Sequence, residues 1–201
     1  MSARTVFSAL ALSAALAGAA SAAPPRLQSA VFAGGCFWTV ERGFEAIPGV
    51  VSAVSGYSGG PERNPTYAQV SSETTGHLES VKVTFDPARI SYAALVERYW
   101  RMIDPTDSGG QACDRGPSYR SAIFVADPAQ RKAAEASKAA LERGPLKGRI
   151  VVPIRAASAF WPAEAYHQDY ARRHPVEYGR YRVGCGRDRV LQRIWGAQAP
   201  H

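Results

Sequence analysis

Chemistry in this chain would start from GGCFW, residues 34–38. A cysteine there follows two glycines and precedes two large aromatics. QSAVFA (28–33) has strand character, and in CFWTVERGFEAI (36–47) Phe37, Val40 and Phe44 recur at helical spacing. Cys36 therefore falls where a strand passes into a helix. Backbone N–H groups and the helix dipole favour an anion at that point and lower a thiol pKa, which makes Cys36 a candidate nucleophile. Gly34 and Gly35 would let a substrate approach the backbone. Phe37 and Trp38 place aromatic surface beside the sulfur. The alternative is packing, since free cysteine behaves as a small buried hydrophobe.

Glu79 is the candidate acid. In ESVKVTF (79–85) the residues Val81, Val83 and Phe85 alternate with polar neighbours, and Glu79 shares their parity. A carboxyl on the core side has its charged form disfavoured, so it keeps its proton near neutrality and can act as a general acid. A partly buried structural Glu paired with an arginine is the competing account. The remaining cysteines are Cys113 and Cys185. Paired zinc-ligand spacing is absent, so no metal is expected.

The elements that must position these groups read as a mixture. Strands are expected at 28–33, 50–57, 79–85, 120–126 and 149–154. Helices are expected from Cys36, from a Ser91 cap to about Met102, from an Asp127 cap to Gly144, and from Pro162 to His174. Mixed without strict alternation, they predict an α+β two-layer sandwich with helices against a mixed or antiparallel sheet.

Residues 1–22 have the grammar of a secretory signal peptide: Arg4, an apolar run, then Ala20-Ser21-Ala22. The expectation is an exported, periplasmic or secreted protein without stable membrane insertion. It has a single catalytic domain over 23–201, in which 171–201 form a mobile tail carrying Cys185. The formal net charge is +7, but no nucleic-acid-binding module accompanies it, so a mildly cationic surface is expected. An odd cysteine count in an exported chain argues against a purely structural disulfide framework.

GCFWTVE (35–41), GYSGG (56–60), NPTYAQV (64–70), TGHLESVKVTFDP (75–87), DPT (104–106), DRGPSYRSAIF (114–124) and AEAYHQDY (163–170) occur in that order. Together they resemble the peptide methionine sulfoxide reductases of the A type. The resemblance implies an α+β sandwich with a ferredoxin-like core. It implies that Cys36 attacks the sulfoxide sulfur, that Phe37 and Trp38 cage the methyl group, and that Glu79 protonates the oxygen. By the same resemblance Tyr67 and Tyr119 bind that oxygen and Asp114 binds substrate. The implied substrate is the S epimer of methionine sulfoxide, free or in oxidised proteins. A thioredoxin-like thiol donor is the implied reductant; no bound cofactor is expected, and the protein is expected to be a monomer.

Cys185, between two glycines in YRVGCGRD, is the expected resolving cysteine. Cys113 reads first as packing, with an alternative resolving thiol as the other account. Where the family often has a cysteine after its PTY block, this chain has Ser71. Two other classes are open to the residues: a cysteine hydrolase using His77 or His167, and a module that only binds methionine-like side chains.

Overall fold

The computed structural model describes residues 26–144, 146–147 and 149–199; the expected signal peptide lies outside the described residues. Strand β1 (Gln28–Ala33) leads into α1 (Phe37–Glu45), then β2 (Val50–Ser58), a short α2 (Tyr67–Ser71), β3 (Leu78–Phe85) and α3 (Tyr92–Arg101). A ribbon of β4 (Gly110–Gln111) and β5 (Asp114–Arg115) precedes β6 (Ala122–Val125) and α4 (Pro128–Arg143). The chain ends with β7 (Ile154–Ala156), β8 (Phe160–Pro162), α5 (Tyr170–Arg173), α6 (Pro175–Cys185) and α7 (Arg187–Trp195).

Six strands form one sheet in the order β7-β6-β1-β3-β2-β8. Its pairs are antiparallel except β6 with β7. The architecture is α+β. Local chemistry sets the helix starts: the Ser91 side chain accepts from Ala94 N–H, and Asp127 accepts from Gln130 N–H. Each such cap is worth about 1 kcal/mol.

The core lies where α1 and α3 cover the sheet. Phe32 of β1 stacks on Phe44 and Tyr99 at centroid distances of 4.9 and 5.0 Å. Val81, Val83 and Phe85 of β3 belong to the same buried cluster as Phe37 and Val40. Burying each large apolar side chain contributes roughly 1.5–3 kcal/mol, and the register it enforces fixes Glu79 on the α1 side of β3. Tyr99 anchors this packing by donating its hydroxyl to Ala33 O at 2.7 Å, just before the Cys36 loop.

Three expectations fail. The strand expected over 149–154 begins only at Ile154. Pro153 has no N–H to offer a ladder, and the Val151 N–H is taken by Pro105 O. The helix expected from Pro162 is replaced by β8, a 3-10 turn over Ala165–His167 and the four-residue α5. Here Gln168 clasps Ser55 from both sides, accepting from its N–H at 3.0 Å and donating to its carbonyl at 2.9 Å. Asp169 then turns left-handed at φ 54°. Finally, the tail is not a loose segment: Tyr178, Arg187, Leu191 and Trp195 are buried, and the Trp195 indole donates to Ile103 O at 2.9 Å.

Candidate active site

Cys36 is the residue before α1 and is 6% exposed. Its side chain makes no cap to the helix, so the first amides of α1 need other acceptors. Glu79 supplies one. Its Oε2 accepts from Phe37 N–H at 2.9 Å, which ties the carboxyl to the residue beside the sulfur. Burial raises the Glu79 pKa to about 8, against the opposing effect of that amide. The core-side carboxyl expected from strand parity is therefore present, neutral below that pH and fixed in place.

The expectation for the thiol is corrected. Burial pushes Cys36 well above the ordinary thiol range, and the Glu79 charge adds to the rise. Hydrogen bonds from the Tyr181 side chain and the Trp38 backbone act in the opposite direction but are outweighed. At this helix start desolvation defeats the dipole. The resting sulfur is a thiol. Gly35 is also corrected. At φ 78° it needs glycine, yet a Cβ there would meet Gln111 Cβ at 2.6 Å and Arg187 Nη1 at 2.9 Å. The protein itself occupies the space expected for substrate.

Phe37 and Trp38 stand in an aromatic group centred on His167. The imidazole lies 4.9 Å from Phe37, 5.7 Å from Trp38 and 4.6 Å from Tyr67, centroid to centroid. Trp38 donates its indole N–H to His167 Nδ1 at 3.1 Å and stacks on Tyr170 at 3.8 Å. Burial lowers the His167 pKa, so the ring is neutral and can accept that bond. His77 receives Gly60 N–H on Nδ1 and places Nε2 against Glu62 O. His77 is thus held on both nitrogens; His167 accepts on Nδ1, so its proton sits on Nε2, which is buried without a partner, and neither ring offers the thiol a free basic nitrogen.

Tyr67 and Tyr119 lie close enough to shift each other's titration and feel the charges of Glu79 and Cys36. Burial raises both pKa values, so both remain donors. Tyr67 is positioned by Glu164, whose carboxylate accepts from Tyr67 N–H at 2.8 Å and from the Tyr57 hydroxyl at 2.9 Å. Tyr119 follows Ser118, which Glu73 holds through backbone and side chain at 2.7 and 2.8 Å. Asp114 receives the Tyr181 hydroxyl at 2.6 Å.

The other two cysteines hold the largest correction. Cys113, expected as packing, is exposed and forms a disulfide with Cys185. Cys36 is left as the free thiol. The disulfide lies against Asp114, within 4.8 Å of its carboxylate, which also accepts the Tyr181 hydroxyl. Sequence reasoning passed over Tyr181, Glu164 and Arg187. Tyr181 had one available signal, its place one helical turn before Cys185.

The structure thus brings Cys36, Phe37, Trp38, Glu79, Tyr67, Tyr119 and Asp114 to one end of the sheet, with Cys185 beside them. Comparison with known proteins accords with that arrangement. Residues 28–199 match the family model described as peptide methionine sulfoxide reductase. Peptide methionine sulfoxide reductase MsrA 2 of Caulobacter vibrioides is 52% identical over 90% of this chain and 91% of its own. Among solved structures, the reduced form of Mxr1 from Saccharomyces cerevisiae superposes with a TM-score of 0.71 at 28% identity, covering 75% of this chain and 87% of that one. Methionine sulfoxide reductase A of Corynebacterium diphtheriae does so at 0.67 and 32%, covering 76% and 77%.

Proposed function

The chain belongs to the peptide methionine sulfoxide reductase family and reduces methionine sulfoxide through its cysteines, and from that premise we propose how its residues divide the work. Cys36 attacks the sulfoxide sulfur while its methyl group rests among Phe37, Trp38 and the rings around His167. Glu79 gives its proton to the oxygen, and the Tyr67 and Tyr119 phenols donate hydrogen bonds to the same atom as charge develops on it. The thiol proton of Cys36 replaces the one Glu79 gave. In sum, the sulfur–sulfur bond formed on attack and the S–O bond of the substrate both break, the oxygen passes as hydroxyl to the Cys36 sulfur, methionine sulfur gains two electrons, and Cys36 becomes a sulfenic acid.

Cys185 then attacks Cys36, expelling water and forming a Cys36–Cys185 disulfide. Cys113 attacks Cys185 in turn, which frees Cys36 as a thiol and leaves the Cys113–Cys185 pair. A thioredoxin-like dithiol reduces that pair, whose exposed Cys113 gives it access. Substrate is the S epimer, free or in oxidised proteins, and a single chain acts as a monomer because it supplies every group named. The first 22 residues support export to the periplasm or beyond. N-terminal sequencing of exported protein should begin at Ala23; an intact Met1 terminus would refute this.

One observation carries the proposal: a neutral carboxyl, Glu79, anchored on the amide next to a free Cys36. Separated S and R epimers of a blocked methionine sulfoxide, offered with dithiothreitol, test it. Methionine should form from the S epimer and stop forming in Cys36→Ser. Turnover of neither epimer by folded protein would sink the proposal.

A further inference from the structure

Arg187 begins α7 immediately after Gly186, two residues beyond Cys185. It is 2% exposed, and among the described residues it has no carboxylate within salt-bridge distance. Its Nη2 donates to Gly34 O at 2.6 Å and to Met102 O at 2.9 Å. Nε and Nη1 are buried without a partner. Nη1 lies 2.9 Å from where a Gly35 Cβ would sit, so its unsatisfied face abuts the residue before Cys36.

A guanidinium remains charged at any pH a protein survives, and burying one without a carboxylate costs several kcal/mol. Two carbonyls meet only part of that cost. The groups whose charge reaches Arg187 are Tyr181, Cys36, Asp114 and Tyr178. Tyr181 is itself a neutral donor because burial raises its pKa. Asp114 is satisfied by Tyr181 and competes for the field, and Glu79 and Tyr99 face the same region from β3 and α3. The anion that must appear here during reaction is the Cys36 thiolate, which burial and Glu79 both oppose.

We propose that Arg187 is a positioning residue that clamps Gly34 and serves as the standing counter-charge for the Cys36 anion. The clamp also connects the helix after Cys185 to the loop before Cys36. The tail therefore brings both a resolving sulfur and a positive charge to the nucleophile. This rests on Cys36 being the nucleophile, but the test below contains no sulfoxide, so its failure is separable from failure of the reductase assay.

In unreduced protein Cys36 is the free thiol, because the other two are paired. Iodoacetamide alkylation of the full chain between pH 6 and 10.5 therefore reports one sulfur. Arg187→Met should displace the pH–rate curve upward by about one unit, a rate about tenfold lower at a given pH. Arg187→Lys should restore the rate to within about threefold of wild type, since it keeps the charge. A purely structural strut would lower the melting temperature and leave the curve of the folded variant in place. An undisplaced curve for Arg187→Met, or no rescue by lysine, overturns the proposal. Should the Met variant fail to fold, the wild-type Arg187 side-chain nitrogen resonances decide. They should shift when hydrogen peroxide oxidises Cys36 to its sulfinate, a fixed anion at that sulfur, and fail to do so in Cys36→Ser; no shift in wild type overturns the proposal.

Discussion

Two buried carboxyls lie at helix α1, and only one of them is proposed as the acid. Glu79 reaches the first turn from β3; Glu41 lies within the helix itself. Burial raises both pKa values, to about 8 and about 7 respectively. Their hydrogen bonds differ. Both oxygens of Glu41 accept from amides, Oε1 from Ser55 at 3.2 Å and Oε2 from Asp169 at 3.1 Å. Glu79 spends only Oε2, on Phe37, and among the described residues its Oε1 has no protein partner. A raised pKa marks burial in both places. A spare oxygen beside a sulfur marks function in one.

Substitution by Gln should separate the two most widely. Glu79→Gln loses the transferable proton, and single-turnover methionine formation should drop about 10²–10⁴-fold. Glu41→Gln should stay within about threefold of wild type. A comparable loss at both positions would dissolve the comparison.

The pH dependence sharpens it. Glu79 acts in its protonated form, so the single-turnover rate should hold below pH 8 and fall about tenfold per unit above it. That break should be missing in Glu79→Gln, and Glu41→Gln should retain it.

Stability should respond differently at the two positions. A carboxyl with a raised folded pKa favours the fold fully below its unfolded value of 4.5, and the benefit is lost as pH rises through about 8 for Glu79. Glu79→Gln escapes that loss and needs only one acceptor. Chemical denaturation at pH 8.5 should find it more stable than wild type by at least ~1 kcal/mol. Glu41→Gln turns an amide NH₂ toward a backbone N–H and should lose about 1–3 kcal/mol below pH 4.5, a loss that is offset as pH rises through about 7 because the substitution also removes a carboxyl with a raised pKa. Smallest are the two phenols proposed to bind the oxygen: Tyr67→Phe and Tyr119→Phe should each slow single turnover by about tenfold, the value of roughly one hydrogen bond. Losses of a hundredfold there would shift the acid role toward a tyrosine.

Much of this was legible before the structure. The period-two pattern of β3 placed Glu79 on the core side, and the helical spacing after Cys36 placed that cysteine at a helix start. Short local signals, Ser91 and Asp127, marked their helices correctly. What could not be read depends on contacts between distant segments. Cys113 and Cys185 are 72 residues apart, and nothing local says that β5 and the end of α6 meet. The break at Asp169 comes from Glu41 and Ser55, far away in sequence, overriding a passable helical pattern. The Cys36 pKa failed as an expectation because the helix start is visible in sequence whereas the depth of its burial is not.

The central claim is that Cys36 performs the reduction while Cys113 and Cys185 store the resulting disulfide. Counting methionine formed per chain, with the S epimer in excess and no reductant present, tests it most directly. Fully reduced protein should release two equivalents: one ends as the Cys113–Cys185 disulfide, the second as Cys36 sulfenic acid. Protein whose Cys113–Cys185 pair is already oxidised should release one. One equivalent from the reduced chain, or none from the oxidised pair, would contradict the account.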